Sequence, residues 1–331
     1  MPAITVDDPS ILPRVGDASG IVRPVVSVTS AIRQLEGAGF PVWRGFHGLG
    51  FADIDPFLLL DEMGPLTWAP GTAKGAPWHP HRGFETVTYV LDGDVEHHDT
   101  EGGGGIIGEG DTQWMTAGRG LLHDELPSER AFQLGGRQHG VQLWVNLPAA
   151  SKMTQPRYQA IPGRELTLLT THDSVGIVRV IAGRIGEHAG PGDTHTPITL
   201  AHATLPPGTE LRVPWDRTYS ALAYVLGGDG TVGDDARPIG EHQLARFGTG
   251  DAIIVRAPGD ASGPLDVLLL GGQPIKEPVV QYGPFVMNTE AEIDQAIRDF
   301  QTGTMGHIPA DAAGDVRRAA GRSGRLRPDS R

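Results

Sequence analysis

Short stretches in which apolar and polar residues take turns, separated by glycine- and proline-rich breaks, run along most of this chain. A period of two predicts strands with one face toward a core. From Val22 the text is strand-like, in VRPVVSVTSAI and then FPVWRGF. The run from Asp55 to Glu62, DPFLLLDE, is too short for an amphipathic helix and predicts a buried strand. Residues 64–78 are rich in Gly and Pro and predict a loop. Thr86 to Leu91 alternates β-branched and aromatic residues, and Asp92-Gly93-Asp94 after it is a hairpin-type turn signal. Glu101 to Gly105 predicts a turn, as does Gly110-Asp111 before the strand Gln113 to Thr116. Val141 to Leu147 alternates again and closes a unit near Pro148.

A second strand-rich region follows and repeats the first. Trp215 to Leu226 aligns with Pro80 to Leu91, and Gly250 to Val255 aligns with Gly110-Asp111 and its strand. The expected division is a flexible N-terminal arm over 1–19, a first barrel over 20–150, a connector over 151–170 and a second barrel over 171–287. The end has a different rhythm. Thr289-Glu290-Ala291-Glu292 is a capping box, and Ile293, Ile297 and Phe300 follow at helical spacing, with Gly303 as a stop. A helix is expected over 288–305 and a disordered, arginine-bearing tail over 306–331. The fold class is therefore all-β, two tandem barrels with a short C-terminal helix.

Composition narrows the chemistry. The 331 residues suggest about two domains. A formal net charge of −13 opposes direct nucleic-acid binding. There is no cysteine, which excludes disulfides, thiolate metal sites and cysteine nucleophiles. No apolar run approaches 18 residues and no signal-peptide pattern opens the chain, so a cytoplasmic protein without a membrane span is expected.

Histidines supply the candidate chemistry. His79-Pro80-His81 and His123-Asp124-Glu125 are each spaced i, i+2, which on a strand turns both side chains to one face, roughly 6.6 Å apart along the chain. Facing each other in a barrel, the two pairs would offer three imidazoles and one carboxylate. That set suits a borderline first-row ion such as Fe(II), with room left for water or substrate. His97-His98-Asp99 reads instead as a strand end facing solvent, because adjacent residues point to opposite faces. In the repeat, the positions of His79 and His81 hold Pro214 and Asp216, and those of His123 and Glu125 hold Gly263 and Leu265. One metal per chain follows, in the first barrel.

The segment HPHRGFETVTYVLDG, followed by GDTQWMTAGRGLLHDE, resembles the first metal-binding domain of the pirin family, a branch of the cupin superfamily. DPFLLLDE before it and GPFVMNT (Gly283 to Thr289) near the end resemble further segments of that family. The resemblance implies two cupin (double-stranded β-helix, jelly-roll) barrels and a metal held by His79, His81, His123 and Glu125. The metal implied is Fe(II), with Mn, Co, Ni, Cu or Zn as alternatives. Cupins in general take a glutamate four residues after the second histidine, here Glu85. That leaves Glu85 as an orienting group or, with Glu125, a catalytic acid/base candidate. Trp78, Phe84, Trp114 and Met115 are candidates to line the pocket. The activity implied is that of quercetin 2,3-dioxygenase, in which a flavonol and O2 give a ring-opened depside and carbon monoxide. The alternative is a non-catalytic, redox-sensing iron protein that regulates transcription or metabolism through protein partners.

Overall fold

The computed structural model describes residues 4–308. In chain order the first strands are β1 (Val25–Ser30), β2 (Ile32–Glu36), β3 (Phe40–Arg44), β4 (Phe57–Trp68), β5 (Ala76–His81), β6 (Phe84–Asp92), β7 (Val95–Asp99), β8 (Gly104–Ile107), β9 (Thr112–Thr116), β10 (Leu121–Leu126) and β11 (Gly136–Asn146). There follow β12 (Arg157–Ile161), β13 (Thr167–Thr170), β14 (Ile177–Ala182), β15 (Arg184–Ile185), β16 (His188–Ala189), β17 (Ile198–Leu205) and β18 (Glu210–Pro214). The last are β19 (Leu222–Gly227), β20 (Asp229–Val232), β21 (Arg237–Gly240), β22 (Gln243–Phe247), β23 (Ala252–Arg256), β24 (Leu265–Gly272), β25 (Val280–Tyr282) and β26 (Phe285–Met287). Helices are short: α1 (Phe51–Ile54), α2 (Glu129–Leu134) and α3 (Glu290–Gln301).

The strands form two barrels of the same design. In the first, a seven-stranded sheet of order β12-β9-β6-β11-β4-β3-β2 faces a four-stranded sheet of order β5-β10-β7-β8. In the second, β1-β22-β19-β24-β17-β14-β13 faces β18-β23-β20-β21. The orders correspond strand for strand, so β5 matches β18 and β10 matches β23. The alignment of Gly250 to Val255 with β9 is therefore one strand out. Both segments follow a Gly-Asp turn, but β23 pairs with β18 and β20 as β10 pairs with β5 and β7. Leu265, aligned with Glu125 from the sequence, instead opens β24.

The inward face of the ladder that corresponds to the histidine pairs is apolar. The β5–β10 ladder of the first barrel pairs His79 with His123; the β18–β23 ladder of the second pairs Val213 with Ile253. Both of those residues are fully buried in a core with Leu211, Val255 and Leu269.

The edges are exchanged between the barrels. β1 precedes the first barrel in the chain yet pairs with β22 of the second, while β12 follows it and pairs with β9. Residues 151–170, expected as a connector, thus carry two strands, β12 and β13. Residues 4–19, expected as a loose arm, run along the second barrel. Val15 is buried and its N–H donates to the Thr170 carbonyl at 2.9 Å, and the Ile4 carbonyl accepts from the buried Arg179 at 2.7 Å. The expected tail over 306–331 falls mostly outside the described residues.

The two seven-stranded sheets pack against each other. Phe57, Leu60, Tyr89, Trp114 and Leu143 of the first interlock with Ile181, Leu200, Tyr224 and Leu268 of the second in one apolar cluster. Both faces of β6 are consequently covered, and eight of its nine residues are buried. Thr86 and Thr88 face the inside of the first barrel; Glu85, Val87 and Tyr89 face the second barrel. The Asp92-Gly93-Asp94 turn is present, with Gly93 at φ +83°, but it makes no hairpin. It carries the chain from one sheet to the other, since β6 pairs with β9 and β11, and β7 with β8 and β10. The loop expected over 64–78 is shorter than that, 69–75, because 64–68 end β4 and 76–78 begin β5. α3 begins at the expected Thr289 capping box and buries Ile293 and Ala296. No helix among the described residues is long and apolar enough to cross a membrane.

Candidate metal centre

β5 and β10 are neighbours in the four-stranded sheet, and their register sets His123 directly opposite His79. With His81 two residues along β5, three imidazoles meet inside the first barrel. His79 Nε2 lies 3.0 Å from His81 Nε2 and 2.9 Å from His123 Nε2. Metal–imidazole bonds of about 2.1 Å at right angles would put ligand nitrogens about 3.0 Å apart; tetrahedral angles would put them about 3.4 Å apart. The two observed spacings, both from His79, fit adjacent positions on an octahedron, and all three ligand nitrogens lie within 4.8 Å of one another.

The outer ring nitrogens are tied down in the sense a metal site needs. His79 Nδ1 lies 2.8 Å from the Pro77 carbonyl and His81 Nδ1 3.3 Å from the Pro284 carbonyl. A carbonyl only accepts, so each Nδ1 carries the hydrogen and each Nε2 keeps its lone pair. Burial holds all three histidines below the ordinary histidine pKa, and for His81 and His123 the neighbouring imidazoles push further in the same direction. All three are thus in the neutral, ligating form at pH 7.

Glu125, two residues beyond His123, has its carboxylate oriented from three sides. The Thr88 hydroxyl donates to Oε1 at 2.8 Å, the Gln113 amide donates to the same oxygen, and the Gln142 amide lies 3.3 Å from Oε2. Among the described residues, potential ligand atoms fall into two overlapping groups, each within 4.8 Å: His79, His81 and His123; and His97, His123 and Glu125. Three neutral imidazoles and an oriented carboxylate around His123 fit a hard-to-borderline divalent ion.

Glu85 is elsewhere. It sits on the opposite face of β6 from Thr88, fully buried, with Oε1 accepting from the Thr116 hydroxyl at 2.7 Å. Burial pushes its carboxyl up, against the opposing pull of the Thr116 hydroxyl and the Trp114 indole. Strand alternation turns it toward the second barrel, so the structure does not support Glu85 as a partner of the ligands or as an acid/base group. Trp114 also lies on that face, in the core between the barrels, and Met115 packs with Ala117 and Leu121. Phe84 lies beneath the site, its ring 5.0 Å from that of His81 and 4.3 Å from that of Trp144.

His97 is the residue that sequence reading missed. It is fully buried inside the barrel, with Nδ1 3.3 Å from His123 Nδ1. His98, next to it, is partly exposed and lies 3.0 Å from Asp124. Alternation was the right rule, but it separates the two histidines without saying which one points inward. The spacing His97-x-Asp99 was the available signal.

A cavity of about 540 Å³ opens over His79, His81 and Glu125. Trp78, Trp144, Phe40, Leu59 and Met63 form its apolar walls, and the Arg44–Asp61 ion pair, at 2.6 Å, stands on one side. The β25–β26 hairpin supplies Gln281, Gly283 and Pro284 to the rim. That hairpin is held by Lys152, whose Nζ donates to the Gly83 and Val286 carbonyls at 2.8 and 3.0 Å and to Asn146 Oδ1 at 2.7 Å. Burial pulls this lysine down to about 8. Gly83 has φ +90°, and a Cβ there would lie 2.0 Å from the Val286 carbonyl oxygen. Gly83→Ala is expected to cost about 2–4 kcal/mol. It should also weaken metal retention, because the displaced hairpin carries the carbonyl that orients His81. Thermal melts and metal content after dialysis check both effects.

Two jelly-roll barrels joined through their large sheets, one lined by histidines and the other by aliphatic residues, define a two-domain cupin. Comparison with known proteins gives the family. The pirin family model matches residues 42–145, and the model for the pirin C-terminal cupin domain matches residues 200–306. The chain belongs to the pirin family. It is 44% identical over 277 residues, covering 83% of this chain and 95% of the relative, to a Pseudomonas aeruginosa protein named "Putative quercetin 2,3-dioxygenase". It is 40% identical over 276 residues to pirin of Homo sapiens, covering 82% of this chain and 90% of that protein. The crystal structure of quercetin 2,3-dioxygenase from Acinetobacter baumannii matches with a TM-score of 0.81 at 38% identity, covering 87% of this chain and all of that one.

Proposed function

We propose that this protein is a metal-dependent dioxygenase that opens the ring of flavonols, with quercetin as the type substrate. His79, His81, His123 and Glu125 would hold one divalent ion per chain, Fe(II) in the first instance. The observation that carries this reading is the convergence of three imidazoles, with His79 Nε2 3.0 Å from His81 Nε2 and 2.9 Å from His123 Nε2, beside a cavity of about 540 Å³. That volume is in the range of small-molecule sites, and three histidines with one carboxylate leave positions on a six-coordinate ion for substrate. The Pseudomonas and Acinetobacter relatives carry the name of this activity, which supports the substrate class.

A metal bound there supplies a Lewis acid for the 3-hydroxyl of a flavonol and a redox centre for dioxygen. The chain's residues do the rest. Glu125 accepts the proton of the 3-hydroxyl, and the donors from Thr88, Gln113 and Gln142 keep its carboxylate aimed while it does so. Trp78 and Trp144 offer flat apolar surface to the flavonol rings and keep water from the reacting carbons. The test is aerobic bleaching of quercetin by metal-loaded protein, with carbon monoxide measured in the headspace. Turnover with iron is expected. No turnover with Fe, Mn, Co, Ni or Cu would sink the reading.

A further inference from the structure

The three imidazoles differ in what stands behind them. His79 and His81 back onto the carbonyls of Pro77 and Pro284, fixed neutral acceptors. His123 backs onto another imidazole. Its Nε2 faces His79, 2.9 Å away, and its Nδ1 lies 3.3 Å from His97 Nδ1. His97 Nε2 in turn lies 3.4 Å from Asp99 Oδ2. β7 and β10 are in register here, His97 opposite Glu125 and Asp99 opposite His123, so the chain of groups runs across two adjacent strands.

The directions of these contacts follow from the two ends. To ligate through Nε2, His123 must carry its hydrogen on Nδ1 and donate it. His97 Nδ1 must then accept, so His97 carries its hydrogen on Nε2 and offers it to the Asp99 carboxylate. Asp99 is itself fixed, its Oδ1 accepting from the Glu101 and Gly103 amides at 2.8 Å each. Tyr158, on the exchanged edge strand β12, stacks on His97 with ring centroids 5.0 Å apart and planes at 24°. His97 is fully buried, and a buried imidazole held at three points has one orientation available.

We propose that His97 and Asp99 are positioning residues for the metal centre, fixing the ligating tautomer of His123 and passing the negative charge of Asp99 toward the ion. This rests on the metal-centre reading above and extends it. His123 becomes the one imidazole ligand backed by a carboxylate, and hence the stronger donor. Such outer partners typically change metal affinity 10–100-fold when removed. Loss of the carboxylate behind a ligand also favours the lower charge on the metal, so the Fe(III)/Fe(II) midpoint potential should rise.

The test uses full-length protein stripped of metal, as wild type, His97→Gln, Asp99→Asn and His98→Gln. Asn at position 99 keeps an oxygen for the Glu101 and Gly103 amides but presents an NH2 group toward His97. Each protein is titrated with Co(II), read by its visible spectrum and by competition with a chelator, and the iron-loaded forms are titrated for midpoint potential. His97→Gln and Asp99→Asn should still bind one ion per chain, about 10–100-fold more weakly and with a raised potential. His98→Gln, whose ring faces Asp124 and solvent, should match wild type. Unchanged affinity and potential in both His97→Gln and Asp99→Asn would overturn the proposal while leaving the metal centre standing. Complete loss of binding in His97→Gln would overturn it too, by making His97 a direct ligand in the group with His123 and Glu125. Wild-type protein that binds no metal would remove the centre and the proposal with it.

Discussion

Replacing Glu62 by alanine is expected to destabilise the protein by about 3–5 kcal/mol, among the largest effects of any single substitution here. Glu62 is fully buried on β4, where the two barrels meet. Oε1 accepts from His139 Nε2 at 2.8 Å, within its own barrel. Oε2 accepts from His242 Nδ1 at 2.8 Å and from the Tyr224 hydroxyl at 2.7 Å, both in the second barrel. Trp43 stacks on His242 with centroids 4.2 Å apart and planes at 19°, which holds that ring in place. Alanine would leave the buried His139 and Tyr224 and the partly exposed His242 without their shared acceptor. Glu62→Gln keeps the shape but turns an NH2 group toward a donor, and should cost less, about 1–3 kcal/mol.

The same carboxylate gives a pH signature. Burial by itself would raise the Glu62 pKa, but hydrogen bonds and charge from His139 and His242 outweigh it and hold the group below its ordinary 4.5. The unfolded chain therefore takes up this proton first on acidification. The stabilisation is fully present above pH 4.5 and is lost as pH falls from there toward the folded value. Melting temperature followed from pH 6 down to about pH 3 should fall more steeply for wild type than for Glu62→Gln. Parallel curves would remove Glu62 as the link between the barrels.

Where the sequence was readable, it was because a local period settled the matter. The i, i+2 spacing put His79 with His81 and His123 with Glu125 on strand faces, and the Thr289 capping box marked the start of α3. What local pattern left open was which face is which. β6 is covered on both sides, so FETVTYVLD carries no polar face to mark solvent, and Glu85 read as well toward the metal as away from it. His97 and His98 posed the same question, and here packing against His123 decided it. The exchange of β1 and β12 was beyond reach for a different reason. Both are edge strands whose partners lie far along the chain, and long-range pairing leaves no trace in a short window. The misplaced repeat came from weighting the Gly-Asp turn, which both barrels use before different strands.

His81→Ala should abolish metal retention and, with it, flavonol turnover, while Glu85→Gln should leave both intact. His81 is one of the three imidazoles spaced for a shared ion, and its removal should cost more than the ~100-fold upper range for outer partners of a ligand. Stability gives an independent readout. A ligand that binds only the folded state at 1,000 times its Kd adds about 4 kcal/mol. Metal should therefore raise the melting temperature of wild type and of Glu85→Gln, and leave that of His81→Ala where it was. Glu85 is the informative control because it occupies the position at which cupins in general place a carboxylate ligand. Here its Oε1 is bonded to Thr116 and its side chain faces the second barrel. Gln keeps an oxygen for that hydroxyl and dispenses with a carboxyl that burial already pushes toward its neutral form. Loss of metal in Glu85→Gln would mean that β6 presents its other face to the ion and that Glu125 is not the carboxylate ligand. Loss in His81→Ala alone, tracked by inductively coupled plasma analysis after dialysis, would tie the metal to the cluster of imidazoles between β5 and β10.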